Sequence, residues 1–405
     1  MQTNKFRWYI AGMIALAAAI SYFDRQSLSI LISELRRAIP VTDGQYGLIN
    51  SLFLLAYGTM YAIGGRVIDV MGSRKGYAIM IAWWSIASAS QGLVGSVAGL
   101  AIARFLLGIG EGGGFPGAAK VISEWFPVRE RSLAFGIFNT GASLGAVLAP
   151  TIIALIISFL SWRWAFFITG MSGIIWVLFW WRRYTPPAVS SQPAGDSPIP
   201  WLNLFRYRKV WGLMTVKFLT DAGWFFFIFW LPKYLNDVRG LNIQGIGAYA
   251  WIPYAFAGAG SLIGGWLSGF LLKQGFTLDL ARKIPLGISA ALLPASLFIT
   301  NASLNMAIVF FSMAMFGHQF WSTIVQTLAA DMFPSRVIGS VSGLMGCVGT
   351  YGAMLFSLVI GYVIQRFGYD PAFLIAGVLH PLSFLLIFII IRKITPQHEI
   401  VHRHS

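Results

Sequence analysis

Arg104 and Glu111 stand seven residues apart in an apolar segment that also holds Gly108, Gly110, Gly112, Gly113, Gly114, Pro116 and Gly117. Seven residues is nearly two helical turns, so both side chains project from one face of a helix, about 10 Å apart along its axis. A guanidinium keeps its charge and offers planar donors that match a carboxylate, so arginine suits an acidic ligand better than lysine does. The glutamate is the member of the pair that can take up and release a proton. Charges deep in an apolar helix are costly and usually face a water-filled cavity. The stretch therefore reads as a place where an acid and a proton each help the other bind. The alternative, that the two residues merely satisfy each other, requires them to reach across a long separation.

Other polar residues sit in similarly apolar surroundings. Asp24 and Arg25 follow one another in Tyr22-Phe23-Asp24-Arg25-Gln26. Adjacent positions on a helix differ by about 100°, so both can border one cavity without pairing tightly. They read either as a local structural network or as a titrating carboxylate beside an anion-binding guanidinium. Lys217 and Asp221 are i,i+4, the spacing of a salt bridge within one helix. The aromatic run from Trp224 to Tyr234 lines a sugar face or packs against its neighbours. In Gly317-His318-Gln319-Phe320-Trp321-Ser322, the histidine either titrates or packs, and Gln319 and Ser322 sit one turn apart, placed to donate to hydroxyls. Tyr57 and Asn139 are further ligand candidates. Asp69 and Arg74 lie in Gly65-Arg66-Val-Ile-Asp69-Val-Met-Gly72-Ser-Arg74-Lys75, where an acid near a helix end can hold a neighbouring helix N-terminus and basic side chains as a conformational latch. The matching region of the second half, Gly264-Gly265-Trp-Leu-Ser-Gly269, keeps the glycines and lacks the acid.

The elements that must position these residues are membrane helices. The chain of 405 residues is 57% hydrophobic and 11% charged, against about 25% charged in soluble domains. At about 20 apolar residues per crossing, twelve spans are predicted: 8–33, 46–69, 76–97, 99–124, 132–158, 162–182, 209–235, 246–271, 284–301, 304–330, 337–364 and 371–392. The first imitates a secretory signal, but its apolar character resumes after Asp24-Arg25 and outlasts a signal core, so it reads as an uncleaved span. Residues 184–208 form a linker whose start is rich in Pro, Ser, Ala and Gly, between a six-helix half at 1–183 and another at 209–405. With both termini cytoplasmic, twenty of the 29 Lys and Arg lie at or near the inside, six outside and three within spans. That bias sets the orientation and accounts for the net charge of +15 without a nucleic-acid partner.

The halves repeat. A shift of 207 residues brings Phe126-Pro127-x-Arg129 onto Phe333-Pro334-x-Arg336, Gly136 onto Gly343, Gly145 onto Gly352, Ala165-Phe166 onto Ala372-Phe373 and Gly170 onto Gly377. These are parallel repeats, and transporters built from them bind substrate near the midplane, where the repeats meet. No G-x-x-x-x-G-K-[ST] loop occurs, no His/Cys cluster has metal spacing and no nucleophile stands beside an evident base, so neither ATP hydrolysis, a bound metal nor enzyme chemistry is expected. Gly108-x-Gly110-x-x-Gly113 imitates a dinucleotide loop but follows no strand. The single cysteine, Cys347, excludes an internal disulfide.

These residues resemble the major facilitator superfamily. The carrying features are the Gly65-x-x-x-Asp69-x-x-Gly72-x-Arg74-Lys75 loop and the six-plus-six plan. Within it the chain is similar to the anion:cation symporters, close to bacterial hexuronate transporters. That likeness rests on Phe23-Asp24-Arg25, Arg104 through Gly117, Lys217-Phe-Leu-Thr-Asp221, Phe229-Trp-Leu-Pro-Lys233 and Gly317-His-Gln319-x-Trp321-Ser322 leading to Asp331-x-Phe-Pro334. The resemblance implies an all-α membrane protein performing proton-coupled uptake of a sugar acid such as glucuronate or galacturonate, in a bacterial cytoplasmic membrane, as a monomer, with the proton as coupling ion and no other cofactor. It implies that Arg104 grips the carboxylate, that Asp24 and Glu111 carry protons with Arg25 tuning Asp24, and that Tyr57 and the His318, Gln319, Trp321 and Ser322 group contact hydroxyls. Ala222 stands where the family pattern has proline after Asp221, which puts a kink there in doubt. Transport of another organic anion (an aldonate, an aldarate or an aromatic acid), sodium coupling and export are the alternatives on the same fold.

Overall fold

The computed structural model describes residues 4–41, 43–187, 201–241 and 243–395. Among them every regular element is helical, as expected where hydrocarbon leaves backbone groups no water to bond. The helices are α1 (Asn4–Ala38), α2 (Asp43–Gln91), α3 (Val97–Glu111), α4 (Gly114–Trp125), α5 (Val128–Phe159), α6 (Trp162–Arg183), the single turn α7 (Trp201–Leu204), α8 (Arg208–Asp237), α9 (Ile243–Lys273), α10 (Leu278–Leu292), α11 (Leu304–Met332), α12 (Ile338–Phe367) and α13 (Asp370–Leu386). Each of the twelve predicted spans falls on helix. Most of the predicted linker, 188–200, lies outside the described residues, as do both chain ends.

Two boundaries differ from the hydropathy reading, each for a reason of glycine chemistry. The second and third spans run together as α2, interrupted only at Gly72, whose φ of 80° and ψ of 158° no side-chain-bearing residue adopts readily. The fourth span is two helices, because α3 stops at Glu111 and α4 starts at Gly114. Glycine also sets how closely this span lies against α2. A Cβ at Gly108 would meet the Phe53 carbonyl oxygen at 2.5 Å, and one at Gly110 would meet the Trp84 backbone nitrogen at 2.6 Å. Small residues on a helix allow such an approach.

Packing divides the chain into two compact units. Unit 1 comprises Met1–Trp125, Gly141–Ile199 and Ser335–Cys347; unit 2 comprises Phe126–Thr140, Pro200–Pro334 and Val348–Ser405. The start of α12 thus packs with unit 1, and the start of α5 with unit 2. Unit 1 has a core of Phe23, Leu28, Leu31, Leu100, Ile153 and Phe166, which fixes the rotation of α1 and brings Asp24 inward. Unit 2 has an aromatic core that includes Trp224, Phe226, Phe227, Phe311, Tyr369 and Phe373. Leu16, Ile102, Leu155, Leu178 and Leu385 are all more than half exposed, the arrangement of surfaces that meet lipid.

Candidate functional site

In unit 1 the four charges of α1 and α3 converge. Arg25 Nε donates to Glu111 Oε2 at 2.5 Å, and the carboxylate is fully buried. The Arg25 guanidinium lies over the Tyr57 ring at 4.3 Å from its centroid and near Tyr22 at 4.8 Å, so aromatic faces shield the side that Glu111 leaves open. Glu111 Oε1 is sealed without a partner. Asp24 is completely buried; its Oδ1 accepts from Ser88 Oγ at 2.6 Å while Oδ2 has no partner. Thr169 Oγ1 stands 3.1 Å behind Ser88 Oγ, linking α6 to the group.

Arg104 is arranged differently. It is 2% exposed and lies 5.8 Å from the Phe53 ring centroid, yet among the described residues no carboxylate pairs with it. Its Nη1 and Nη2 reach only the backbone carbonyls of Asp24 and Arg25, at 3.5 and 3.3 Å, and Nε bonds nothing. A charged arginine within a span disfavours membrane insertion, by about 2.5–3.5 kcal/mol at the helix centre, and two long bonds to carbonyls leave most of its donor capacity unused. Such a guanidinium is preformed for an oxyanion. Its partner along the helix is not Glu111, which Arg25 takes instead. Arg25 accordingly bears on Glu111 and not on Asp24, a correction of the expected tuning.

Unit 2 carries a second cluster. Lys217 Nζ and Asp221 Oδ1 form the predicted i,i+4 pair at 2.7 Å. One turn further along α8, the Trp224 ring stacks on His318 of α11 at 4.7 Å and 12°. His318 Nδ1 lies 3.0 Å from Nε2 of His380 on α13. Along α11, Gln326 Nε2 donates to Ser322 Oγ at 3.1 Å. Asn139 Nδ2 donates to Thr323 Oγ1 at 3.1 Å and to Gln326 Oε1 at 3.4 Å, so this amide serves α11 within unit 2. Gln319 is 7% exposed and makes no hydrogen bond to the described protein atoms, which leaves its amide for a ligand. Trp321 is wholly buried, its ring edge-on to His380 at 5.5 Å and its Nε1 without a hydrogen-bond partner among the described residues.

Asp69 occupies the place its motif suggests. Its Oδ1 accepts from Lys120 Nζ and from Gly339 N, both at 3.1 Å, and its Oδ2 from Ser340 N at 2.6 Å. These backbone donors are the first free N–H groups of α12, which the helix dipole makes attractive to an anion. Arg74 takes no part in that contact. Its Nη2 donates to the Trp181 carbonyl at 2.7 Å, and its guanidinium lies over the Trp181 ring, tying α2 to the end of α6. The acid missing from the second glycine motif comes from elsewhere in the sequence. Arg282 Nε meets Asp331 Oδ2 at 2.8 Å, and its other nitrogens donate to Ser132 Oγ, Ser268 Oγ and the Val128 carbonyl, gathering the start of α5. Arg131 adds a bond to the Ala330 carbonyl at 2.5 Å. Asp331, Arg282, His380, Ser88 and Thr169 were not singled out from sequence as site residues. For Ser88, Thr169 and His380 the available signal was a polar side chain inside an apolar span, whereas Arg282 and Asp331 flank spans and carried no such signal.

The sequence matches the Major Facilitator Superfamily over residues 14–356. The chain belongs to that superfamily. Among its relatives is the hexuronate transporter of Escherichia coli K12, 30% identical, with 96% of this chain and 94% of that protein aligned. The D-galactonate transporter of Escherichia coli O6:H1 is also 30% identical, over 90% of this chain and 91% of its own length. The proton:xylose symporter, solved with 6-bromo-6-deoxy-D-glucose bound, superposes with a TM-score of 0.76 over 97% of this chain and 98% of its own, at 14% identity, which supports the fold alone. The protein is therefore a multi-pass membrane protein with the twelve-helix major facilitator architecture.

Proposed function

We propose that this superfamily member is a proton-coupled symporter for a monocarboxylate sugar acid, most closely a hexuronate such as glucuronate or galacturonate, taken up across a bacterial cytoplasmic membrane by alternating access. The halves 1–183 and 209–405 are the bodies that move, and the chain works as a monomer with the proton as its coupling ion. The observation that carries this reading is Arg104, a buried guanidinium whose hydrogen bonds among the described residues are two long ones to backbone carbonyls. The names of the sugar-acid relatives support the substrate class.

The charge balance supports coupling. With both carboxylates ionised, Asp24 and Glu111 offset Arg25 and Arg104. A substrate carboxylate on Arg104 adds an unbalanced negative charge in a low-dielectric setting, and one proton restores neutrality. Asp24 Oδ2 and Glu111 Oε1, each sealed and unpartnered, are positions where a proton can reside without breaking a hydrogen bond. In the cycle Asp24 and Glu111 load protons from outside, the anion binds Arg104, its charge is offset and the cluster closes, and inward opening releases both. If both carboxylates titrate in every cycle, two protons accompany one anion and transport is electrogenic. Tyr57, His318, Gln319 and Ser322 address the hydroxyls.

The test is uptake of labelled glucuronate into vesicles under an imposed pH gradient, with a potential imposed separately. Accumulation driven by either is expected, with unlabelled galacturonate competing best. Indifference to the potential refutes the two-proton cycle. Accumulation that follows a sodium gradient, or competition dominated by aldonates, aldarates or aromatic acids, replaces this reading with another on the same fold.

A further inference from the structure

Two histidines meet in the interior of unit 2, and only one of them was legible as a site residue. His318 Nδ1 and His380 Nε2 are 3.0 Å apart, a hydrogen-bond distance at which one ring donates and the other accepts. His380 is completely buried and its Nδ1 has no partner, whereas His318 retains 2% exposure. His380 is boxed in by the Trp321 ring and by the ring of His318 itself.

The unpartnered nitrogen decides where the protons lie. If His318 Nδ1–H were the donor, neutral His380 would carry its proton on Nδ1, as an N–H sealed from water with no acceptor. An imidazolium at either position leaves the same orphan. Buried orphan N–H groups are rare because they forfeit a hydrogen bond that water would have supplied. One arrangement avoids it. His380 donates from Nε2–H, its Nδ1 is a bare lone pair, and His318 accepts at Nδ1 and holds its own proton on Nε2. The Trp224 stack at 12° fixes the plane of the His318 ring and hence the direction of that N–H.

We infer that His380 is a positioning residue that fixes the tautomer of His318, so that His318 presents Nε2–H as a hydrogen-bond donor to an oxygen of the sugar acid. This rests on the proposed role of His318 at the substrate. The chemistry selects an acceptor, a hydroxyl or carboxyl oxygen, at that point. A lone histidine in water offers a mixture of tautomers, whereas a fixed donor is present in every molecule. His380 itself does not touch substrate.

The experiment labels histidine with 15N in the full-length protein and reads the ring nitrogens in lipid bilayers by solid-state NMR, with difference spectra from His318→Gln and His380→Phe assigning the buried pair. Both rings are expected as neutral Nε2–H tautomers. His318 found as Nδ1–H or as imidazolium overturns the inference; the nitrogen–nitrogen contact at 3.0 Å identifies the pair in the wild-type spectrum, so the result stands even where a variant fails to fold. In transport, His380→Phe keeps the shape and removes the donor, and is expected to raise KM about tenfold with kcat unchanged, the size of one lost hydrogen bond. His380→Gln restores an amide N–H near the position of Nε2 and is expected to recover KM to within about threefold. Wild-type KM in His380→Phe, or no recovery in His380→Gln, also overturns it. A wild-type protein that carries no sugar acid sinks the functional reading alone, because the spectra still decide the tautomer.

Discussion

Each unit buries a polar cluster in apolar surroundings, and the two clusters balance their charge in different ways. In unit 1 the ion pair joins two helices, Arg25 of α1 to Glu111 of α3, and Arg104 stands beside it with two backbone carbonyls as its hydrogen-bond partners among the described residues. In the unit 2 cluster around Trp224 the charges cancel within α8, Lys217 against Asp221 one turn away, and the remaining groups of that cluster are neutral rings, hydroxyls and amides; the Arg282–Asp331 pair lies further along α11. A pair closed inside one helix survives any motion of that helix and lends no charge to a ligand. A pair stretched between helices breaks when they move apart and can lend its charge to a ligand. The expected division is that unit 1 senses charge and protons while unit 2 reads the arrangement of oxygens.

The hardest blow to that division falls at Glu111. Glu111→Gln is expected to abolish proton-driven accumulation while counterflow of preloaded substrate continues; accumulation that survives removes Glu111 from coupling. Next is the pair that should be structural. Lys217→Met leaves Asp221 buried and uncompensated, with an expected destabilisation of about 3–5 kcal/mol, while Lys217→Met with Asp221→Leu recovers most of it. Thermal unfolding in detergent measures both, and a double variant no better than the single one would show that the charges have another task. Arg104→Lys keeps the charge and loses the planar fork. A rise in KM of about a hundredfold is expected, about 2.8 kcal/mol at 1.4 kcal/mol per tenfold. Lys217→Arg should change KM by less than about threefold, and equal effects at the two positions would erase the contrast. The smallest effect belongs to unit 2. Gln326→Ala removes a neutral bond to Ser322 and a longer one from Asn139, and should raise KM about threefold.

Much of this was readable from the chain because a membrane makes polarity conspicuous. The twelve spans, the repeat at 207 residues and the charged positions Asp24, Arg104 and Glu111 all stand out against apolar sequence. Which charges pair was not readable. Spacing describes neighbours on one helix, so Lys217 with Asp221 was foreseeable, but Arg25 and Glu111 are 86 residues apart and meet only through tertiary packing. Asp331 and Arg282, 49 residues apart, escaped for the same reason. The contact of Trp321 and His318 with His380 on α13 was likewise beyond what spacing along α11 could reveal. The break between α3 and α4 was hidden because glycine is ordinary in membrane helices.

The company Asp69 keeps has a consequence for biosynthesis. Its amide partner Ser340 lies 271 residues later in the chain, whereas Lys120 follows after 51. At about 5–20 residues per second, the ribosome delivers the start of α12 on the order of tens of seconds after the carboxylate has entered the nascent fold. During that interval Lys120 is the counter-charge available to it among these partners. Lys120 thus holds the place that the amides of α12 later share, and unit 1 reaches its final packing only when nearly the whole chain has been made.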